Sequence, residues 1–212
     1  MARIIPVLKG VLVLRVISGS AKKRRLKAPP GRSVRPTADR VKEALFNILA
    51  ERIPGCTFLD LYAGSGGIGI EALSRGADYV TFVEKDARVL KVLGENLQLT
   101  GLEGRAETVP GDVDVVLERI AGQGRKFDVI FMDPPYRQNL AVGTLARLSG
   151  YGLLRDQGLL IIESGKEEKM PVCSGLLKMI RQERYGDTML SFYVVEQTGG
   201  EVDNFESGSV SR

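Results

Sequence analysis

The chain has no histidine in its 212 residues. That excludes Ser-His-Asp and Cys-His nucleophilic chemistry, His-containing zinc sites and an imidazole general base. Cysteine is nearly as scarce: Cys56 and Cys173 are the only two, and they lack a metal-binding spacing. No metal is expected, and reduced thiols in a cytoplasmic protein are. Long apolar runs are also missing, since none approaches the ~20 residues that a membrane-spanning helix needs. The opening MARIIPVLKGVLVL is apolar but short and has no convincing small-residue cleavage site, so it does not read as a signal peptide. A strand extension or an over-called start fits it equally. Any chemistry must run on carboxylates, hydroxyls, lysines, backbone groups or a bound cofactor.

What the chain does have is charge of uneven placement. The net charge is +4, yet Lys22 to Lys42 holds nine basic residues and one acid, Asp39, leaving the remainder net acidic. Basic charge gathered in one arm is the footprint of a polyanion, and nucleic acid is the expected partner. The length suits one domain with a small appendage, and a monomer is expected.

Thr57 to Glu71, TFLDLYAGSGGIGIE, organises the rest. An apolar run of the kind buried in a parallel sheet turns through Gly64, Gly66, Gly67 and Gly69 into a helical pattern. Glycines let backbone approach a ligand, and a helix start offers unpaired N–H groups, so this is a nucleotide-type cofactor loop. Gly64-Ser65-Gly66-Gly67-Ile68-Gly69 formally satisfies G-x-G-x-x-G, with Glu84 following Gly64 at the distance of a ribose-binding acid. The rival to a dinucleotide is S-adenosylmethionine (AdoMet), which has a ribose but no pyrophosphate. Asp60 favours the rival, because an acid there would sit badly beside a pyrophosphate but suits the ammonium of a methionine moiety.

Ahead of this loop, LVLRVIS (Leu12–Ser18) reads as a strand, Gly19 to Lys23 as a turn, and Arg24–Ala28 as a returning strand. Pro29-Pro30-Gly31 breaks the pattern, and Thr37 or Asp39 can cap a helix with Val41, Leu45, Phe46 and Leu49 on its apolar face. After it, strands at Thr57–Tyr62, Tyr79–Glu84, Ala106–Pro110, Asp128–Met132 and Leu159–Glu163 alternate with helices at Gly67–Arg75, Ala87–Leu99, Val113–Ile120 and near Leu140–Leu148. Leu176–Tyr185 and Met189–Glu196, split by Gly186-Asp187, make a terminal hairpin. The expectation is a Rossmann-like α/β fold with a mostly parallel seven-stranded sheet. Residues 1–50 form a basic hairpin-and-helix extension, 51–197 the main domain, and 198–212 a disordered polar tail.

Ligands of such sheets bind outside the carboxyl ends of the strands, where Asp60, Glu84, Asp112 and Asp133 fall in succession. Glu84 can accept from ribose hydroxyls and Asp112 from an adenine amine, with Asp114 a possible substitute. Any one alone would read as a helix cap; four along one edge read as a site. Asp133-Pro134-Pro135-Tyr136 is the sharpest signal. The prolines stiffen the loop and fix the Asp133 carboxylate and Pro134 carbonyl as two acceptors. Two acceptors on an exocyclic amine raise electron density on a nitrogen whose lone pair is otherwise delocalised, and aim it at a methyl donor. Tyr136 offers a face on which a flipped base can stack. The motif points to amino-group methylation and does not say which amine.

RVISGSAKKRRLKAPPG, RPTADRVKEALFNIL, LDLYAGSGGIGIEALSRGA, FVEKD, DPPY and RYGDT…FY, in this order, resemble the RsmD family of bacterial 16S ribosomal RNA guanine-N2 methyltransferases. The resemblance spans roughly Leu14 to Glu196. It implies a class I AdoMet-dependent methyltransferase fold and N2-methylation of one guanine of small-subunit RNA, in the assembling or assembled particle. Asp133, Pro134 and Tyr136 would be catalytic. Cofactor contacts would come from Asp60, Tyr62, Ala63, Gly64, Ser65, Gly66, Glu84, Lys85, Asp112 and Asp133. RNA contacts would come from Arg15, Lys22, Lys23, Arg24, Arg25, Lys27, Arg35 and Arg40. Tyr62 stands where a generic AdoMet loop often has a third glycine, and the family commonly carries an aromatic there. The competing readings are adenine-N6 methylation of DNA or glutamine methylation of a protein with the same chemistry, an NAD-dependent oxidoreductase, and a non-catalytic RNA-binding assembly factor.

Overall fold

A parallel strand covered on both faces must be apolar on both, and the expected strands of that composition are strands. The structure, a computed structural model, describes residues 14–29, 36–135 and 140–196. In chain order these hold α1 (Pro36–Ile48), β1 (Thr57–Leu61), α2 (Gly69–Ser74), β2 (Tyr79–Glu84), α3 (Ala87–Thr100), β3 (Ala106–Pro110), α4 (Val113–Gly122), β4 (Phe127–Met132), α5 (Leu140–Tyr151), β5 (Leu154–Gly165), β6 (Cys173–Ser174), β7 (Leu177–Tyr185) and β8 (Thr188–Val195). The sheet order is β3-β2-β1-β4-β5-β8-β7-β6. Neighbours from β3 to β5 are parallel and the rest antiparallel. The chain winds one way from β1 to β3 and the other way from β4 to β5. The switch point therefore lies between the carboxyl ends of β1 and β4, where such sheets bind ligands.

Alternation along the strands builds two cores. Phe58, Phe82, Phe131, Ile161 and Phe192 face one way, and Leu59, Leu61, Ile130, Met132 and Ile162 face the other beneath α4 and α5. The first core also takes in Val16, Ala21 and Leu26 from the arm, Val41, Leu45 and Phe46 from α1 and Leu49 just after it. These four residues are the apolar face expected of that helix.

The arm is held by buried polar groups of α2. Glu71, wholly buried, accepts from the Ile17 and Ser18 amides at 2.7 and 2.9 Å. It also accepts from Arg75 Nε at 2.8 Å and lies 3.3 Å from Lys42 Nζ. Lys42 Nζ in turn donates to the Arg15 carbonyl at 2.6 Å. Burial pushes the Lys42 pKa down while Glu71 pushes it back up. Ser74 accepts from Ala21 N through its hydroxyl and from Ser20 N through its carbonyl. Gly19 has φ of +84° there, and a Cβ on it would fall 1.8 Å from the Ser74 carbonyl oxygen.

Three expectations change. The described residues form eight strands, not seven; the extra one, β6, is a two-residue edge too short to show any alternation. Among the described residues the arm shows one antiparallel bridge, Arg15 to Arg25, rather than a ladder, and the amides of residues 17, 18, 20 and 21 are given to α2. β5 begins at Leu154 rather than Leu159, across a register shift against β4 with Gln157 at φ of +63°; its polar start hides the strand. Residues 1–13, the Pro30-Gly31 break and the tail from residue 197 lie outside the described residues.

Glu71→Ala should strand the buried Lys42 charge and leave two amides without an acceptor. We expect a loss of about 3–5 kcal/mol in urea unfolding; a loss under about 1 kcal/mol would show that the pin carries little.

Candidate functional site

The loop after β1 is built from left-handed turns and borrowed acceptors. Tyr62 has φ of +59°, Gly64 +56° and Gly66 +85°. Tyr62 thus holds a conformation that favours glycine, and its hydroxyl is bonded to Thr144 Oγ1 at 2.8 Å. Ala63 N donates to the Val83 carbonyl at 2.9 Å, stitching the loop to β2. Gly64 N donates to Glu84 Oε2 at 3.0 Å and Asp86 N to Glu84 Oε1 at 2.9 Å. Glu84 is therefore oriented at the end of β2, half-buried, beside the loop. Gly69 must be glycine for another reason: a Cβ there would lie 2.3 Å from the Phe82 ring, so its absence lets α2 close on β2.

Asp60 sits under the loop. It is 2 % exposed, and its Oδ2 accepts from Gly69 N at 2.9 Å, fixing the start of α2. Burial pushes its pKa up to about 7, opposed by the Gly69 hydrogen bond and reinforced by the charges of Asp133 and Glu84.

Beside the loop is a cavity of about 240 Å³. Ala63, Gly64 and Ser65 line it from the loop, Asp133 from the end of β4, Glu163 from β5 and Asp39 from α1. It thus joins cofactor loop, DPP segment and arm in one place. Asp133 is exposed and Pro134 buried. Asp39 Oδ1 is buried with no hydrogen-bond partner among the described residues, while Oδ2 lies 3.5 Å from Arg15 Nε. Asp60, Glu84 and Asp112 do not line the cavity. Asp112 is at the N-cap of α4, accepting from Asp114 N at 3.1 Å, and Gly111 N donates to the Glu84 carbonyl at 3.2 Å. Glu84 and Asp112 are thereby neighbours along the sheet edge, with Lys85 exposed beside them. Asp114 is occupied by Arg147 at 3.1 Å.

On the arm, Arg15, Lys22, Lys23, Arg24, Arg25, Lys27 and Arg40 are exposed. Lys27 pairs with Glu95 at 2.7 Å, whereas Lys22 to Arg25 carry no ion pair among the described residues. Lys42, part of the basic run, is buried and turned inward. Tyr136 and Arg35 lie outside the described residues.

Three contributors escape sequence reasoning. Asn96, wholly buried in α3, donates to the Ser65 carbonyl at 2.9 Å and exchanges bonds with Lys27 N and O at 2.7 and 3.0 Å. It ties arm to cofactor loop through one side chain. Asp39, expected as a possible cap, lies inside α1 and lines the cavity, as does Glu163 from a strand read only for its apolar residues. The available signal was a polar residue inside an apolar pattern, as with Glu71 in GIGIEALS.

Residues 14–194 match the family described as Conserved hypothetical protein 95. Ribosomal RNA small subunit methyltransferase D of Escherichia coli is 36 % identical over 186 residues, covering 88 % of this chain and 92 % of that protein. YlbH of Bacillus subtilis, provisionally described as an rRNA methyltransferase, is 40 % identical over 180 residues, 85 % and 98 % of the two chains. The chain belongs to the RsmD family. A solved Escherichia coli structure, provisionally described as methyltransferase yhhF, superposes with a TM-score of 0.77 at 36 % identity, covering 87 % of this chain and 98 % of that one. This RsmD-family chain therefore has the expected Rossmann-like methyltransferase fold, with its cavity at the switch point. No helix among the described residues is long and apolar enough to cross a membrane.

The raised Asp60 pKa makes a stability prediction. Folded protein keeps a proton up to about 7 that the unfolded chain releases near pH ~4, so this group lowers stability as pH rises from about 4 to 7. Asp60→Asn keeps an acceptor for Gly69 N and removes the titration. Its unfolding free energy should fall less over that window than the parent's; identical profiles would show that Asp60 does not titrate there.

Proposed function

We propose that this chain transfers a methyl group from AdoMet to the exocyclic N2 amine of a guanine in 16S ribosomal RNA of the small subunit. The observation that carries the reading is the meeting of the glycine loop, Asp133 and the arm at one cavity. The site residues suit the cofactor. The left-handed turns at Tyr62, Gly64 and Gly66 bring loop backbone to its margin, and the unpartnered Asp39 oxygen suits an α-ammonium. Glu84 and Asp112, displaced along the edge, suit ribose hydroxyls and the adenine amine. Asp60 acts from beneath, holding Gly69 so that the loop keeps its shape.

AdoMet supplies a methyl group on a positively charged sulfur, activated without help from metal or imidazole. The task left to the protein is to seat, orient and deprotonate an amine. Asp133 and the Pro134 carbonyl accept the two N2 hydrogens and hold the nitrogen in line with the methyl group. The N–C bond forms as the S–C bond breaks, and the amine's proton passes to the Asp133 carboxylate or through it to water. Tyr136 stacks on the flipped base.

The organisation follows from these roles. Residues 1–50 grip RNA phosphates through Arg15, Lys22, Lys23, Arg24, Arg25, Lys27, Arg35 and Arg40. Residues 51–197 carry the reaction, and 198–212 are a tail. The protein acts as a cytoplasmic monomer on small-subunit RNA or its assembly intermediate.

Asp133→Ala should abolish methyl transfer while binding S-adenosylhomocysteine within a few-fold of the parent by calorimetry. A large loss of that binding would show that Asp133 serves the cofactor and not the amine.

A further inference from the structure

Holding an amine between two acceptors does not choose a base. Guanine carries its exocyclic amine at C2 and adenine at C6, and an Asp-Pro pair would serve either. The two bases differ at N1, next to the amine: guanine presents an N–H donor there and adenine a lone pair. A site that takes guanine alone needs an acceptor aimed at N1 as well as those at the amine.

The sheet places such an acceptor. The last register pair between β4 and β5 is Met132 with Ile162, so Asp133 just past β4 and Glu163 near the end of β5 follow side by side, about 5 Å apart by strand spacing. Alternation puts Glu163 on the face of Ile161 and Asp133 on that of Phe131, both in the core that the arm covers. Phe131, Asp133 and Glu163 line the same cavity. The strand order β1-β4-β5 sets the cofactor loop on one side of Asp133 and Glu163 on the other, which is the acceptor's side. Glu163 is half-buried, and its backbone is gripped across β8 by the pairing with Leu190, so the carboxylate is carried by the sheet and not by a loop.

We infer that Glu163 is the specificity-determining residue of this site, accepting N1–H of the target guanine while Asp133 and Pro134 hold N2. The inference rests on the amine-methylating reading above. With guanine seated, the carboxylate meets a donor in a place partly withdrawn from water. With adenine seated, it meets a lone pair, and two acceptors face each other unsatisfied. The guanine choice is then made by β5, while the chemistry belongs to β4.

The test compares the full-length protein and Glu163→Gln on small-subunit RNA carrying either guanine or 2-aminopurine at the methylated position. 2-Aminopurine keeps the amine at C2 and loses the N1 hydrogen. The parent should prefer guanine by about a hundredfold in kcat/KM, the scale of one hydrogen bond to a charged acceptor. Glu163→Gln, whose amide can turn a donor or an acceptor to N1, should reduce that preference to a few-fold. Its affinity for S-adenosylhomocysteine, measured by calorimetry, should match the parent's and show the site intact. An undiminished preference, or a loss of S-adenosylhomocysteine affinity in its place, would overturn the assignment. A parent protein that binds S-adenosylhomocysteine yet methylates neither purine at its C2 amine would overturn the amine reading itself, separately from Glu163.

Discussion

A buried carboxylate must be answered from all sides or it destabilises the fold, and Glu71 is answered by three elements at once. Two amides of the arm, Arg75 of its own helix and Lys42 of α1 converge on it. Because α2 also begins at the cofactor loop, fixed through Gly69 and Asp60, the same short helix locates both the loop and the arm. Ser74 and Asn96 repeat the device at either end of the arm, the latter joining Lys27 to Ser65 directly. The basic arm is therefore docked on the sheet through its backbone, while the side chains of Lys22 to Arg25 remain outward.

This division explains how one edge of the sheet can serve two ligands of different size. Glu84 and Asp112 stand along β2 and β3, Asp133 and Glu163 at the ends of β4 and β5, and the glycine loop between the two groups. The arm and α1 reach the second group through residues such as Asp39 lining the cavity. A small cofactor on one side and a base delivered from a large RNA on the other fit that asymmetry. The uneven charge fits the proposed reading too: exposed basic residues gather on the arm, as phosphate contacts would require, and acids lie along the edge beneath.

Most of the sheet was legible because its strands bury both faces and are bounded by glycine and proline; β2 and β3 have the expected ends to the residue. The DPP and glycine-loop segments were legible because their chemistry needs unusual backbone, which few residue types permit. Asp60 was legible as an acid at the end of β1 but not as a buried one: alternation turns it into the core beneath the loop, where it accepts from Gly69 N and burial lifts its pKa to about 7. Glu71, Asn96 and Asp39 were hidden for a common reason: each acts by long-range contact, and sequence periodicity records only which face a residue occupies. β6 and the polar start of β5 were hidden because a two-residue edge and a bulged entry have no period to detect.

The most direct measurement is labelled methyl transfer from AdoMet to small ribosomal subunits lacking this modification, with the product nucleoside identified by mass spectrometry and duplex DNA run in parallel. N2-methylguanosine in the 16S RNA is the predicted product. N6-methyladenine, in RNA or in the DNA control, would contradict the guanine assignment and the role given to Glu163, while leaving the fold and the amine-directed chemistry of Asp133 in place.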